Sequence, residues 1–168
     1  PLYKNPSAPI EERVQDLISR MTIEEKADQL CQDTIGVDPN PDNYSLDNPF
    51  CPTCGSVYQF MGGAKNRNKF QRQAIDGTRL GIPILWAIDV IHGWRTMFPV
   101  SLAQAASFNP KLTEESQRIA ARECWQDGGI DWCLGPMVEV GHDPRWGRNV
   151  EGYGEDPYTA SQFAAAAV

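Results

Sequence analysis

The sequence predicts an α/β fold in which parallel strands alternate with helices. Three observations carry that expectation. Residues 80–89 (LGIPILWAID) are continuously apolar rather than alternating, as in a parallel strand covered on both faces. A second apolar run at 130–134 follows a long helical pattern. Around these two runs, strand-like and helix-like segments alternate, which implies βα units built around a parallel sheet.

The elements follow in chain order. Val14, Leu17, Ile18 and Met21 recur at helical spacing, with Glu11 and Glu12 placed in the first turn. Thr22 and Glu25 form a capping-box pattern that starts a second helix, running to about Cys31. Residues 33–54 are dense in Asp, Asn, Pro and Gly and are expected to be loop. Residues 55–60 suit a short strand, and 66–76 a helix ending at Gly77. After the strand 80–89, Asn109 and Pro110 make an N-cap and N1 pair. The helix they open sets Leu112, Ser116, Ile119 and Ala120 on one face and stops at Gly128-Gly129. The strand 130–134 and a long loop come next, and Asp156-Pro157 caps a last helix. Three strands cannot close a barrel, and a (β/α) barrel of eight units needs about 250 residues. If the architecture is a barrel, this chain holds its first part. Pro1 opens without a signal-peptide pattern and Val168 lies in an alanine-rich helical run without a stop signal, so a longer parent protein is expected.

Composition narrows the function. The 168 residues are 41% hydrophobic and 22% charged, which is enough for a packed core and unlike a disordered chain. Lys and Arg number 15 against 22 Asp and Glu, for a net charge of -7. A phosphate-backbone binder needs a basic face, so no nucleic acid and no anionic membrane is expected as a partner. No run has the apolar length of a membrane span.

Five cysteines (Cys31, Cys51, Cys54, Cys124, Cys133) cannot all pair internally. Cys51-Pro-Thr-Cys54 has the spacing of a redox pair or half a zinc site. A structural zinc site needs four ligands, and only His92 and His142 could assist. In its Pro, Asn and Asp-rich setting the motif reads as a loop pair, such as a disulfide. No metal or other cofactor is expected.

Two loops could carry chemistry, because in such folds function gathers where strands end. The first starts at Asp89, whose carboxylate ends an apolar strand and must find partners there. It either caps the loop through backbone N–H groups or binds a ligand. His92 nearby reads as a structural, hydrogen-bonded histidine. The second loop, residues 142–157 (HDPRWGRNVEGYGEDP), mixes arginines, carboxylates, aromatics and glycines. It cannot form a core, so salt bridges and hydrogen bonds must fix it. An Arg fork can bridge a carboxylate and a polyol at once. The five tryptophans (Trp86, Trp94, Trp125, Trp132, Trp146) could stack on sugar rings, but core packing explains most tryptophans equally well.

Four segments, in this order and spacing, resemble glycoside hydrolase family 3. They are residues 79–93 (RLGIPILWAIDVIHG), Thr96-Met-Phe-Pro99, Asp143-Pro-Arg-Trp-Gly-Arg148 and Gly154-Glu-Asp-Pro157. The opening from Arg13 through Met21-Thr22-Ile-Glu-Glu-Lys26 to Gln29-Leu30 is similar to that family's N-terminal segment. The likeness is to the β-glucosidase and β-xylosidase branch and is weakest over 33–54. It implies a partial TIM-like (β/α) barrel spanning 1–168. Leading helices would occupy 1–32, a loop 33–54 and the first βα units 55–168, with the rest of the barrel and a second α/β domain outside this chain. It further implies a retaining, exo-acting hydrolase with a carbohydrate substrate and a secreted or periplasmic setting. Such enzymes use a nucleophile and an acid/base carboxyl. In the family these lie on a later strand and in the second domain, and neither motif occurs here, so no catalytic residue is expected in this chain. Two substrate-binding residues carry over. Asp89 matches the Asp that accepts from hydroxyls of the terminal sugar, and Arg148 the Arg that donates to the same ring. Arg145, Glu151, Glu155 and Asp156 match positions that fix the loop. Glu139 and His142 depart from the Asp and Arg common in relatives. A non-catalytic carbohydrate-binding relative, and a redox or zinc protein using Cys51 and Cys54, remain as alternatives.

Overall fold

A computed structural model describes residues 1–35 and 50–168. The two leading helices form where their caps direct, α1 at Ile10–Arg20 and α2 at Ile23–Gln29. Thr22 makes the reciprocal capping box: its Oγ1 accepts from Glu25 N (3.2 Å) and Glu25 Oε2 accepts from Thr22 N (2.9 Å). Arg79 locks this corner to the strand that follows, donating to the Glu25 carboxylate and to Arg20 O (2.8 Å).

Four strands form one all-parallel sheet in sequence order: β1 (Gln32–Asp33), β2 (Ser56–Tyr58), β3 (Leu85–Asp89) and β4 (Trp132–Leu134). Helices α3 (Gly63–Gly77) and α5 (Pro110–Glu123) connect them, with a short α4 at Ser101–Ala105 and a closing α6 at Pro157–Ala167. The register decides which side chains share a face. Val57 lies beside Trp86 and Ile88 beside Cys133, whereas Tyr58 lies beside Ala87, and Asp89 beside Leu134. The first set joins Phe60, Phe70, Ala74, Ile84, Val90, Cys124 and Ile130 in the main core. Phe60 meets Trp86 edge-on at 4.8 Å between centroids, and the indole N–H of Trp86 donates to Gln71 Oε1 at 2.9 Å. A second, smaller core sits under the last helix, where Tyr153 stacks on Phe163 at 5.6 Å beside Ala105 and Ala160.

The structure differs from the sequence expectation at several points. Among the described residues there are four strands rather than the three expected, because β1 reaches into the start of the segment expected to be loop; residues 36–49 of that segment lie outside the described residues. The apolar run 80–89 pairs only from Leu85 onward. Pro83 has no N–H for a ladder, and Gly81 turns with φ +63°, where an added Cβ would lie 2.8 Å from Ile75 O. Asn109 holds the N-cap position of α5, but its side chain makes no capping bond. That helix ends in a π turn, Cys124–Gly128, closed by Gly129 in the left-handed region.

Cys51 and Cys54, read from the sequence as a loop pair, are not joined to each other, and all five cysteines are free. Cys54 turns into the core and donates to Ser56 O at 3.3 Å, while Cys51 lies 3.3 Å from Thr53 Oγ1. Burial pushes the Cys54 thiol up to about 12, which keeps it protonated and unreactive. Among the described residues no three His, Cys, Asp or Glu side chains gather as a metal site, and no helix is long and apolar enough to cross a membrane.

Candidate sugar-binding site

Both candidate residues lie at the C-terminal end of the sheet. Asp89 is the last residue of β3, and the register sets it on the sheet face away from the main core. Its Oδ1 accepts from Ile91 N at 3.2 Å, so half of the carboxylate caps the turn. Its exposed position leaves the other half facing solvent. Arg148 belongs to the long loop after β4 and precedes a 3-10 turn at Asn149–Glu151. Its guanidinium holds the Glu151 carboxylate, with Nε donating at 2.7 Å. That bond, more than anything else, raises the Arg148 pKa; after a smaller opposing desolvation, the charges of Glu151 and Asp89 act in the same direction. Asp89, 59 positions away in sequence, is thus among the charges that act on Arg148. Tyr58 ends β2 on the same face as Asp89.

Each loop is fixed by its own set of bonds. After β3, the chain turns at Gly93 (φ +127°), where a Cβ would sit 2.0 Å from Thr96 O. Glu123, at the end of α5, accepts from Arg95 N (2.9 Å), Thr96 N (2.8 Å) and Thr96 Oγ1 (2.7 Å). Those bonds, led by the Thr96 N–H, hold the Glu123 carboxyl below its usual range. Arg95 Nε also donates to Asp127 at 2.8 Å. His92 Nδ1 and Trp94 Nε1 are buried in this loop, with no hydrogen-bond partner among the described residues. His92 therefore does not fit the expected hydrogen-bonded histidine.

After β4, Asp143 clamps Arg145, accepting from its backbone N (2.9 Å), Nε (3.0 Å) and Nη2 (2.6 Å). Asn149 Nδ2 ties the turn to Asp143 O at 2.9 Å. Gly141 sits close against Asn149, where a Cβ would come within 2.6 Å of Oδ1. The four residues expected to fix the loop divide in the structure. Arg145, Glu151 and Asp156 are bonded within the loop or to the helix after it, whereas Glu155 contributes its backbone carbonyl, 3.2 Å from His142 Nε2. Glu139, Val140, His142, Asp143 and Trp146 line a concavity of about 320 Å3 on this loop. A larger groove, about 630 Å3, runs between α5, α6 and the edge of β4 and contains neither Asp89 nor Arg148.

Tyr58 and Glu123 were missed by sequence reasoning. Tyr58 had one visible signal, its place at the end of a short apolar strand. Glu123 had none, since a Glu in the last turn of an amphipathic helix looks solvated.

The arrangement is one of hydrogen-bonding groups. It offers acceptors on Asp89, donors on Arg148 and a phenol on Tyr58. Comparison with known proteins gives the setting. Residues 22–168 match the family described as "Glycosyl hydrolase family 3 N terminal domain". The chain is 39% identical over 148 residues to a periplasmic β-glucosidase of Salmonella typhimurium, covering 88% of this chain and 19% of that protein. It is 32% identical to a putative β-xylosidase of Formosa agariphila, covering 99% of this chain and 24% of that one. A solved structure of a mutant β-glucosidase from Listeria innocua in complex with laminaribiose superposes with a TM-score of 0.81 at 33% identity, over 94% of this chain and 23% of that chain. The chain thus spans about a fifth to a quarter of the length of these relatives.

Proposed function

The chain belongs to glycosyl hydrolase family 3, and from that premise we propose that it supplies part of the terminal-sugar site of a retaining, exo-acting β-glycosidase. The substrates are β-glucosides or β-xylosides at non-reducing ends. Residues 1–168 open the barrel domain of a longer protein, in which a nucleophile and an acid/base from outside this chain break the glycosidic bond through a covalent glycosyl intermediate. Within this chain the work is binding and orientation. Asp89 accepts hydrogen bonds from sugar hydroxyls, and Arg148, steadied by Glu151, donates to the same ring.

One observation carries the reading: Asp89 ends β3 at the C-terminal end of a parallel sheet, exposed on the face away from the main core, and Arg148 stands in the loop after the neighbouring strand β4. That rim is where barrel enzymes hold their substrates. A carboxylate beside a guanidinium suits hydroxyls, which donate and accept at once. Hydrogen bonds to charged groups that tighten as the ring flattens lower the barrier, and do more than strengthen binding.

The test uses the full-length enzyme that carries this segment. Asp89→Ala or Arg148→Ala should lower kcat/KM on an aryl β-glycoside by tens-fold or more, with the thermal transition retained. Wild-type kinetics in either variant would remove the residue from the site. A fall in stability that precedes any fall in rate would leave the pair as a loop brace. The isolated 168-residue chain should turn over no aryl glycoside, and turnover above a buffer blank would overturn the division of roles.

A further inference from the structure

The bond that caps the Asp89 turn is a long one. Asp89 Oδ1 accepts from Ile91 N at 3.2 Å, at the far end of the usual N–H···O range. A bond of that length orients a carboxylate only if its donor is itself held in place. The donor residue is held from outside the loop: Gln117, on α5, donates from Nε2 to Ile91 O at 2.6 Å. Ile91 is only 8% exposed, so its carbonyl has little access to water, and the Gln117 amide meets its need for a partner. Gln117 also stands on a fixed stretch of helix. Ser116 and Ala120 beside it are buried, and Thr113, one turn earlier, is bonded to Gln104 Oε1 at 2.8 Å. The far end of the same loop returns to the same helix, where Glu123 accepts from Arg95 N and Thr96 N. Between these two anchors the loop closes on itself, with Gly93 N donating to Val90 O (3.2 Å) and Phe98 N to His92 O (2.7 Å). Both ends are fastened to one helix, and the Gln117 anchor is the one that leads into Asp89.

We propose that Gln117 is a positioning residue for Asp89. By fixing Ile91 it sets where the Ile91 N–H takes Oδ1, and so the plane of the carboxylate whose Oδ2 is left for a sugar hydroxyl. The proposal rests on the reading of Asp89 as a sugar-binding residue and names what sets its geometry. Gln117 itself touches no substrate; it acts through Ile91. Hydrogen bonds weaken steeply as their angle departs from linear, so a tilted carboxylate loses contact with the hydroxyl before the fold is disturbed. Misplacing a binding group by about 1 Å can cost on the order of a hundredfold in rate. Glu123 braces the return of the loop, further along the chain from the carboxylate. Loss of the Gln117 donor is therefore felt first at Asp89.

The experiment is a double-mutant cycle in the full-length enzyme that carries this segment. It is read as kcat/KM on an aryl β-glucoside or β-xyloside, with Tm measured alongside. Gln117→Met keeps the length of the side chain and removes the donor. Gln117→Ala removes the same donor with a stronger helix former, so the result does not hang on the folding of one variant. Each should lower kcat/KM about tenfold with the thermal transition retained. In an Asp89→Ala background each should change it by less than about twofold, because the carboxylate that Gln117 orients is gone. Losses of equal size in both backgrounds would make Gln117 a general support of the fold and overturn the proposal. Wild-type rates in the Gln117 variants, or loss of the thermal transition in both, would overturn it too. Those outcomes leave Asp89 in the sugar site as long as Asp89→Ala alone lowers the rate. Wild-type rates in Asp89→Ala alone would instead remove the reading of Asp89, and the positioning role with it.

Discussion

The two faces of the parallel sheet have been solved to different degrees by the same four strands. On the helix-covered face, Val57, Trp86 and Ile88 are buried, and Trp86 has no exposed surface at all. On the other face, Leu85 is 53% exposed and Trp132 45% exposed, although each sits mid-sheet or at a strand start. A parallel strand is normally covered on both sides. The first face is thus a finished core, and the second is an unfinished surface that also presents Tyr58 and Asp89. Stability in this segment comes from one face and the candidate chemistry from the other.

The sharpest way to break that division is to remove equal side chains from the two faces. Trp86→Ala should cost about 3–5 kcal/mol, because the cavity left among Phe60, Phe70 and Val57 cannot refill. Trp132→Ala should cost about 0.5 kcal/mol or less, as expected for a surface truncation. Urea denaturation midpoints would measure both. Equal losses would mean that the second face is already packed in solution.

A smaller effect is expected where the covered side turns polar. Gln104 bridges α4 and α5, its Oε1 accepting from Thr113 Oγ1 at 2.8 Å and its Nε2 donating to Pro99 O at 2.7 Å. Thr113 has no exposed surface. Thr113→Val keeps the shape and weakens the satisfaction of a buried acceptor, for a loss of about 1–2 kcal/mol in the same denaturation series. A neutral result would assign the seam to shape alone.

How much of this was legible in the sequence depends on whether the signal was local. The capping box at Thr22 and Glu25, the apolar strand through Trp86 and the Asp156-Pro157 helix start are all written in adjacent residues. The candidates Asp89 and Arg148 came from the resemblance, with Asp89 at a strand end besides. Strand β1 was not legible, since two residues, Gln32 and Asp33, carry no period and form only because β2 lies alongside. The role of Glu123 was hidden for a related reason. Its partners Arg95 and Thr96 come from a loop 27 to 28 positions away, a distance that no helical pattern encodes. That Cys54 turns into the core while Cys51 stays partly exposed is a matter of burial, which the CxxC spacing alone does not report.

The open face itself gives a further, milder test. Leu85 and Trp132 expose apolar surface on one side of a sheet whose β4 edge is unpaired among the described strands. The isolated chain is expected to self-associate through this surface. Leu85→Lys should weaken association by about tenfold, the equivalent of losing most of one leucine's burial. Sedimentation across a concentration series would read the shift. A monomeric chain that melts cooperatively would show the second face to be stable in water, and the contrast between the faces would lose its meaning.

The smallest effect belongs to the edge of the second core, where pH rather than packing is the lever. Asp156 caps α6, its Oδ2 accepting from Thr159 N at 2.7 Å and Thr159 Oγ1 at 2.6 Å. The side-chain bond first, then the backbone bonds, hold its carboxyl below the ordinary value of 3.8. A carboxyl whose pKa is lower in the folded state binds fewer protons there than in the unfolded chain. Its contribution is therefore complete above the unfolded value and is lost as pH falls through the folded one. Asp143, clamped by Arg145, and Glu25, held by Arg79, are lowered in the same direction, so the whole chain should lose stability below about pH 4. Asp156→Asn isolates one part of that loss. The amide oxygen can still accept from Thr159 N, so α6 should keep its start, but the proton that competes with the cap is gone. Against wild type, this variant should be slightly less stable at neutral pH and should converge on wild type under acid, with a shallower fall in Tm between. Parallel curves at every pH would show that the Asp156 charge contributes nothing to the anchoring of the second core.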